Sequence, residues 1–321
     1  MRIQAIYIGN LFDYATYQGV SEEMLRNYLA EKDLDVCNQN NTVTINEYLN
    51  VFDALQKRVK DTNFGIHFGC YLNLKALGFI VQLSLNASSL EQAVFILQTY
   101  LQNTFPIVSL ESEERNGKYI LSLTAKIENE KLKHQVLDFV FCFIYRELKL
   151  MLSNDFKPVL EVPGSNPTEF TYFLNAEVKK GIKHRFIYEA SVLNAEINKK
   201  TVKEIEILLP KFLQMFNKTK PGYNEFSMQV RTMVLNLCCP ELPTFKQVAI
   251  HFPLSNRTIQ RKLTEEGLSF RKITNEIKNE LSNYLSKGHQ MKTQDIAHLL
   301  GYSETSAYLH AVKKWETEFI S

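Results

Sequence analysis

Apolar and polar positions repeat at two different periods along this chain, and the changes of period divide it. Apolar residues recur at helical spacing over Glu22–Glu31, Ile45–Lys60 and most strongly Ser89–Gln102, where Ser88-Ser89-Leu90-Glu91-Gln92 offers an N-cap. The period then drops to two in Ile107–Glu114 and Lys118–Ile127. These flank Asn116-Gly117, the strongest short hairpin signal in the chain. A long helix is predicted from about Glu130 to Ser153. After it come a short strand (Val159–Val162), a turn over Pro163–Pro167, a helix near Thr168–Leu174 and a strand around Arg185–Tyr188. A helix over Lys200–Phe216 closes the region. Helices mixed with antiparallel hairpins predict an α+β domain over residues 1–216.

The polar stretch Asn217–Asn224 carries Pro221-Gly222 and reads as a linker. Beyond it, residues 225–321 read as an all-α domain, with Pro240 and Pro243 punctuating the approach to its first motif. Two helix-turn-helix patterns stand in tandem there, Phe245–Gly267 and Thr293–Trp315. Each sets a short amphipathic helix, a tight turn and a second helix with polar side chains on its outer face. Such a second helix enters a DNA major groove, about 12 Å wide. A helix over Ser269–Ser286 is predicted to join the two units rigidly and so to fix the distance between the two reading helices.

In the first unit Val248, Ala249, Phe252, Leu254, Ile259 and Leu263 make the apolar face, and Pro253 occupies the turn. Ser255 is placed to cap the second helix. Asn256, Arg257, Gln260 and Arg261 then share its exposed side. Arginine pairs with guanine and glutamine with adenine in bidentate fashion, each worth roughly 1–3 kcal/mol of base discrimination. In the second unit Thr293 is the expected N-cap, Ile296, Ala297, Leu299 and Leu300 the core, and Gly301 the turn. Ser303 is expected to cap a helix that presents Thr305, Ser306, Leu309, His310 and Lys313. His310 there serves equally as a base or phosphate donor or as a half-buried histidine.

Charge supports a local rather than a global nucleic-acid surface. The chain of 321 residues has a net charge of only +2, yet Phe245–Lys314 holds eleven Lys and Arg against six Asp and Glu, a local +5. That suits a sequence reader with a modest phosphate term. Five cysteines are scattered without a Cys-x-x-Cys pair, and Cys238-Cys239 sit in an apolar run, so a reduced, cytoplasmic setting is expected. The N-terminus lacks the pattern of a signal peptide. Val136–Leu152 is broken by Asp138, Arg146, Glu147 and Lys149, which makes it a core helix rather than a membrane span.

The last third of the chain resembles the AraC/XylS family of bacterial transcription regulators. The resemblance rests on SNRTIQRKLTEEGLSF, then IAHLLGYSETSAY, then KKW. It implies two helix-turn-helix units joined by one helix and reading successive major grooves. It further implies base-reading roles for Arg257, Gln260 and Arg261, similar roles for Thr305, Ser306 and His310, and backbone contacts from Lys313 and Lys314. Three departures stand out. His310 replaces the family's usual arginine and Val312 its usual phenylalanine, and the chain ends at Ser321 without the usual Pro-x-x-Tyr-Arg. A second unit that is less stable or less informative is therefore expected.

The N-terminal region is similar to the subgroup whose effector domain is named after arabinose binding but is not the sugar-binding cupin. The matching stretches are Gly65-Ile66-His67-Phe68-Gly69, Leu77-Gly78, Ser89-Leu90-Glu91-Gln92-Ala93, Phe156-Lys157-Pro158 and Phe170–Phe173, followed by the Phe186-Ile187-Tyr188 strand.

No catalytic motif emerges: there is no His-Glu-x-x-His, Gly-x-Ser-x-Gly, Gly-x-Gly-x-x-Gly or Walker-type loop. His67, His134 and His184 read as core or surface histidines. No cofactor, metal or catalytic residue is expected. Phe79, Phe95, Tyr100, Phe105, Phe139, Phe141, Phe143 and Tyr145 lie on apolar faces, mostly as core, with an apolar effector pocket among them; its polar anchors are not identifiable. The expected protein is a transcription regulator, an activator acting as a homodimer. Its expected partners are double-stranded promoter DNA, RNA polymerase and a small organic effector, with no membrane. An N-terminal domain that binds a protein through Val136–Leu152, and an enzyme with an appended DNA-binding module, remain as alternatives.

Overall fold

The computed structural model describes residues 1–321 apart from 39, 73, 76–77, 79–80, 82–86, 154, 165–166, 239–240, 289–290 and 319–321. Leu77, Phe79, Cys239, Pro240, Ser321 and the middle of the Pro163–Pro167 turn therefore lie outside the described residues. Contacts separate the chain into two units, Met1–Val202 and Lys203–Ser321. The division falls inside the helix Lys199–Phe216 rather than at 217–224. The expected linker is held by the second unit. The Lys220 ammonium pairs with Glu280, and the Tyr223 hydroxyl donates to Glu276 Oε2 at 3.0 Å.

The N-terminal unit begins with β1 (Arg2–Gln4), antiparallel to β2 (Thr42–Thr44), with helices α1 (Ile6–Tyr17) and α2 (Glu22–Arg26) between them. The predicted helix at 22–31 stops early because the Arg26 guanidinium turns back to the carbonyls of Lys32 and Leu34, at 2.7 and 3.0 Å. Helix α3 (Ile45–Val59) starts in a capping box: the Thr44 amide donates to the Glu47 carboxylate, and the Glu47 amide donates to Thr44 Oγ1. The larger sheet has the order β3 (Val108–Arg115), β4 (Lys118–Ala125), β7 (His184–Glu189), β5 (Val159–Val162), β6 (Val178–Lys180). All its pairs are antiparallel except β5–β6. The β3–β4 hairpin turns at Asn116-Gly117 as its sequence predicts, with both residues at positive φ.

The core of this unit forms where α4 (Phe64–Tyr71) meets the long helix Glu130–Met151. Every residue of α4 is buried. A Cβ on Gly65 would lie 2.1 Å from the Gln135 carbonyl oxygen, and one on Gly69 2.6 Å from that of Phe139. Only glycine at this four-residue spacing lets the two backbones approach so closely. Farther along the long helix, Phe141 stacks on Phe186 of β7 with ring centroids 4.3 Å apart. Val136, Phe141, Ile144 and Met151 of this helix are at most 1% exposed. Val136–Leu152 is thus core, as expected, and offers no exposed apolar face to a partner protein. Among the described residues no helix is long and apolar enough to cross a membrane.

Among its described residues the regular structure of the C-terminal unit is all helical: the rest of Lys199–Phe216, then Glu225–Leu237, then Phe245–Ala249 and Asn256–Glu265, then Phe270–Asn283 running on into a π-helical turn at Tyr284–Gly288, then Thr293–Leu299 and Thr305–Glu318. Burial follows the amphipathic pattern. Val248, Ile259, Ile273, Ile277 and Leu285 are fully buried, and Trp315 is 1% exposed.

Candidate functional site

The two short-helix pairs form the predicted helix-turn-helix units. In the first, Thr244 caps the leading helix in a capping box with Gln247. Ser255 caps the second helix, Asn256–Glu265, its hydroxyl accepting from the Thr258 amide at 3.2 Å. Ile259 and Leu263 point inward, which leaves Asn256, Arg257, Gln260 and Arg261 together on the exposed side. The Arg261 guanidinium rests on Glu265 Oε1 at 2.6 Å, both side chains more than half exposed. Lys262, beside it, covers the Phe226 ring at 5.1 Å and so serves the unit's own packing. Leu254, expected in the core, is only half-buried at the turn.

One backbone device recurs, ending the reading helix of the first unit and the leading helix of the second. The Leu268 amide donates to Leu263 and the Gly267 amide to Thr264; likewise Tyr302 donates to Ala297 and Gly301 to His298. These are Schellman closures, with Gly267 and Gly301 at φ 73° and 77°.

The second unit starts differently from its sequence expectation. Lys292, not Thr293, is the N-cap, with no side-chain bond to the helix. The last helix begins at Thr305, so Glu304 directly precedes it and Ser303 stands one residue too early to cap it. Glu304 instead accepts from the Ser306 hydroxyl at 3.2 Å. Ser306, Leu309, His310, Lys313 and Lys314 are exposed, and Thr305 is half-buried. His310 is thus at the surface.

The joining helix Phe270–Asn283 holds both units. Its Ser269 hydroxyl caps it. Its inner carboxylates, Glu276 and Glu280, accept from Tyr223 and from the buried Arg231 guanidinium, the latter at 3.2 Å. On the side of the second unit, Ser282 Oγ and Tyr308 Oη lie 2.7 Å apart, and the Lys278 ammonium sits 4.4 Å above the Tyr302 ring. Burial holds the Lys278 pKa below its usual value. Tyr302 in turn meets Tyr308 and Trp315. The last helix thus packs on the joining helix, and the first unit meets the same helix through Phe245 and Phe270, ring centroids 5.3 Å apart.

In the N-terminal unit a cavity of about 250 Å³ opens between α1, the Leu90–Thr104 helix and the Glu130–Met151 helix. Of the aromatic residues predicted to include a pocket wall, Tyr100, Phe105, Phe139 and Phe143 line it. Phe141 is core, Phe95 is 69% exposed, and Tyr145 lies elsewhere. Its polar members Gln4, Tyr7, Asn10 and Lys75 were not foreseen. The available signal was an asparagine inside the apolar run Ile6–Phe12, three positions after a tyrosine. His67 is held between Asp61, at 2.5 Å, and Glu169, at 3.0 Å. Burial alone would lower its pKa, but the two carboxylates outweigh burial and raise it to about 9. His184 meets Asp138 at 2.7 Å, and His134 is half-buried on its helix surface. Cys70, Cys142 and Cys238 are buried.

Two helix-turn-helix units on one supporting helix, in a chain with a separate α+β unit, define a class of double helix-turn-helix regulators. Residues 25–196, more than half of the chain, match the arabinose-binding domain of AraC transcription regulators, an N-terminal domain, so the chain belongs to that family. It is 23% identical over 304 residues to the HTH-type transcriptional regulator VqsM of Pseudomonas aeruginosa, covering 91% of this chain and 92% of that one. It is 37% identical over 73 residues, 23% of this chain and 21% of the relative, to an uncharacterized HTH-type transcriptional regulator, Mb1430, of Mycobacterium bovis. The solved structure of the transcriptional regulator CdpR from Pseudomonas aeruginosa aligns over 97% of this chain and 95% of its own, with a TM-score of 0.42 and 15% identity. The chain is an AraC-type transcription regulator.

Proposed function

We propose that this regulator reads promoter DNA through both helix-turn-helix units and responds to a small organic effector in its N-terminal domain. The carrying observation is the pair of helix-turn-helix units joined by one helix, the reading helix of the first exposing Asn256, Arg257, Gln260 and Arg261 together. Arg257, Gln260 and Arg261 supply base choice in the first unit, and Thr305, Ser306 and His310 supply it in the second. Lys313 and Lys314 hold phosphates. Residues 1–216 bind the effector and dimerise, and residues 225–321 bind DNA. The effector acts by binding one arrangement of the protein more tightly than another. The complex activates transcription by engaging RNA polymerase. The largely apolar cavity supports a small-molecule effector over a protein partner, as does the burial of the Val136–Leu152 helix.

The test is selection of genomic DNA fragments by the full chain, with Arg261→Ala in parallel at matched salt. The wild type is expected to enrich one motif with two blocks about one helical turn apart. The variant is expected to lose one block and keep the other. Enrichment of nothing beyond a salt-sensitive background, with and without candidate effectors, would overturn the reading. Sedimentation of the free protein as a monomer, with and without DNA, would remove the dimer.

A further inference from the structure

The cavity in the N-terminal unit has a chemistry of its own. One side is hydrocarbon: Leu72, Phe105, Phe139, Val140 and Phe143. This wall is stiff, because Phe105 packs edge-on against Tyr48 at 5.3 Å, and Phe139 against Phe68 at 5.1 Å. The other side is a row of polar groups built on α1. Tyr7 and Asn10, three residues apart, share one helix face. Tyr7 Oη lies 3.3 Å from Tyr100 Oη, and Asn10 Oδ1 accepts from the Lys75 ammonium. Asn10 is 8% exposed, whereas Lys75 stands half-exposed at the rim.

What this row can offer is mostly donors. Lys75 brings an ammonium, and the Tyr7–Tyr100 pair, one hydroxyl bonded to the other, brings at most one O–H. With its oxygen turned to Lys75, Asn10 has its amide N–H groups left to give. Burial, and then Tyr100, raise the Tyr7 pKa, so it remains a phenol that can donate. No Asp or Glu lines the cavity among the described residues, and the nearest acid to Lys75, Asp13, is 3.6 Å away outside it. A cationic ligand would meet the Lys75 ammonium with no acid in the lining to receive it, since Asp13, the partner of Lys75 at 3.6 Å, lies outside the cavity. A neutral one would leave the Lys75 ammonium with only Asn10 and Asp13 and would gain no charge-assisted bond from it. An anionic acceptor satisfies the row, and a charge-assisted bond to an ammonium is about twice as strong as a neutral one. The volume falls below the roughly 300–1,000 Å³ of drug-sized pockets, so the occupant is compact.

We propose that this cavity binds a compact apolar carboxylate, its acid group on Lys75, Asn10 and the Tyr7–Tyr100 pair and its hydrocarbon body against Phe105, Phe139 and Phe143. This rests on the reading of the N-terminal domain as an effector domain and gives that effector a chemical class.

The test is calorimetric and thermal-shift titration of the full chain. The probes are phenylacetate and hexanoate, their amides (phenylacetamide and hexanamide) and the corresponding amines (phenethylamine and hexylamine). At least one acid is expected to bind and raise the melting temperature, with its amide at least tenfold weaker and its amine silent. Lys75→Met is expected to erase the acid-over-amide preference, and Phe143→Trp, which fills the cavity, to abolish binding altogether. Amide or amine binding that Phe143→Trp abolishes would overturn the carboxylate class and leave the effector reading standing. Acid binding that ignores both substitutions would overturn the site. Silence from both acids at millimolar concentration would overturn the proposal. The DNA selection above then judges the regulator reading independently.

Discussion

The two helix-turn-helix units share one architecture and divide their resources differently. The first has two capped helices and concentrates long polar side chains, two of them arginines, on its exposed face. The second starts on an uncapped Lys292 and exposes shorter groups, Ser306 and His310, beside an apolar Leu309 that is 47% exposed. In exchange it holds the heavier aromatic core, with Tyr302, Tyr308 and Trp315 packed together and tied to Lys278 and Ser282 of the joining helix. On the proposed reading, the first unit is rich in chemistry that discriminates bases. The second is rich in contacts that fix where the first one stands. An unusual residue at a reading position, such as His310, is then compatible with a well-built unit.

The largest effect on this contrast is expected from Trp315→Ala. Removing a buried tryptophan costs about 3–5 kcal/mol, enough to unfold the second unit while leaving Asn256–Glu265 formed. Urea unfolding followed by amide exchange would show protection lost in 293–318 and kept in 245–265. Uniform loss across both would mean that the units are not separable in this way.

Changes in the N-terminal unit need a label of their own, and His67 provides one. Its pKa stands raised to about 9 in the folded protein, against the usual 6.5. Its contribution is therefore complete below pH 6.5 and is lost as pH rises through 9. The amount is about 3 kcal/mol. Thermal unfolding between pH 6 and 10 should show the N-terminal transition falling, and His67→Gln should flatten that slope. A slope unchanged by the substitution would assign it elsewhere.

Next in size, Arg257→Ala or Arg261→Ala should each cost about 1–3 kcal/mol on the preferred site and relax the choice of one base. His310→Ala should cost less than either. Competition binding at fixed salt, using sites altered one base at a time, measures all three, and a larger loss from His310→Ala would invert the comparison. Smallest of all is the cap asymmetry. Ser255→Ala should lower stability by about 1 kcal/mol, whereas Lys292→Ala should stay within about 0.5 kcal/mol of wild type. Equal losses would show that Lys292 supports its helix in some other way.

The C-terminal half was readable because each of its helices puts one face in water. Val248, Ile259 and Leu263 alternate with polar neighbours at helical spacing, and Ser255 and the Gly267 turn announce themselves by residue type. The misplaced starts at Thr293 and Ser303 show the limit of that signal: a hydroxyl one or two residues from a helix end looks like a cap, and only the backbone decides. The N-terminal half hid its central helices. α4 is buried on every side, and α1 over most of its length, so neither shows an amphipathic stripe to detect. The three-residue strands β1, β2 and β6 are too short for any period, and the parallel β5–β6 pairing depends on a crossover that no local pattern encodes. The cavity's polar row escaped for the same reason, since Lys75 reaches Asn10 from sixty-five residues away.

The backbone contact at Gly65 and Gly69 has a consequence for how the chain is made. Gly65, whose amide is bonded to the Gln135 side chain, emerges seventy residues ahead of it. At synthesis rates of about 5–20 residues per second, α4 waits on the order of 4–14 s for the helix that covers it. β4 likewise awaits β7. During that interval a largely apolar segment is without its native cover, and the two glycines that make the finished fit possible also weaken α4 as an isolated helix. Codon usage and chaperone access over residues 64–142 should therefore influence the yield of this regulator.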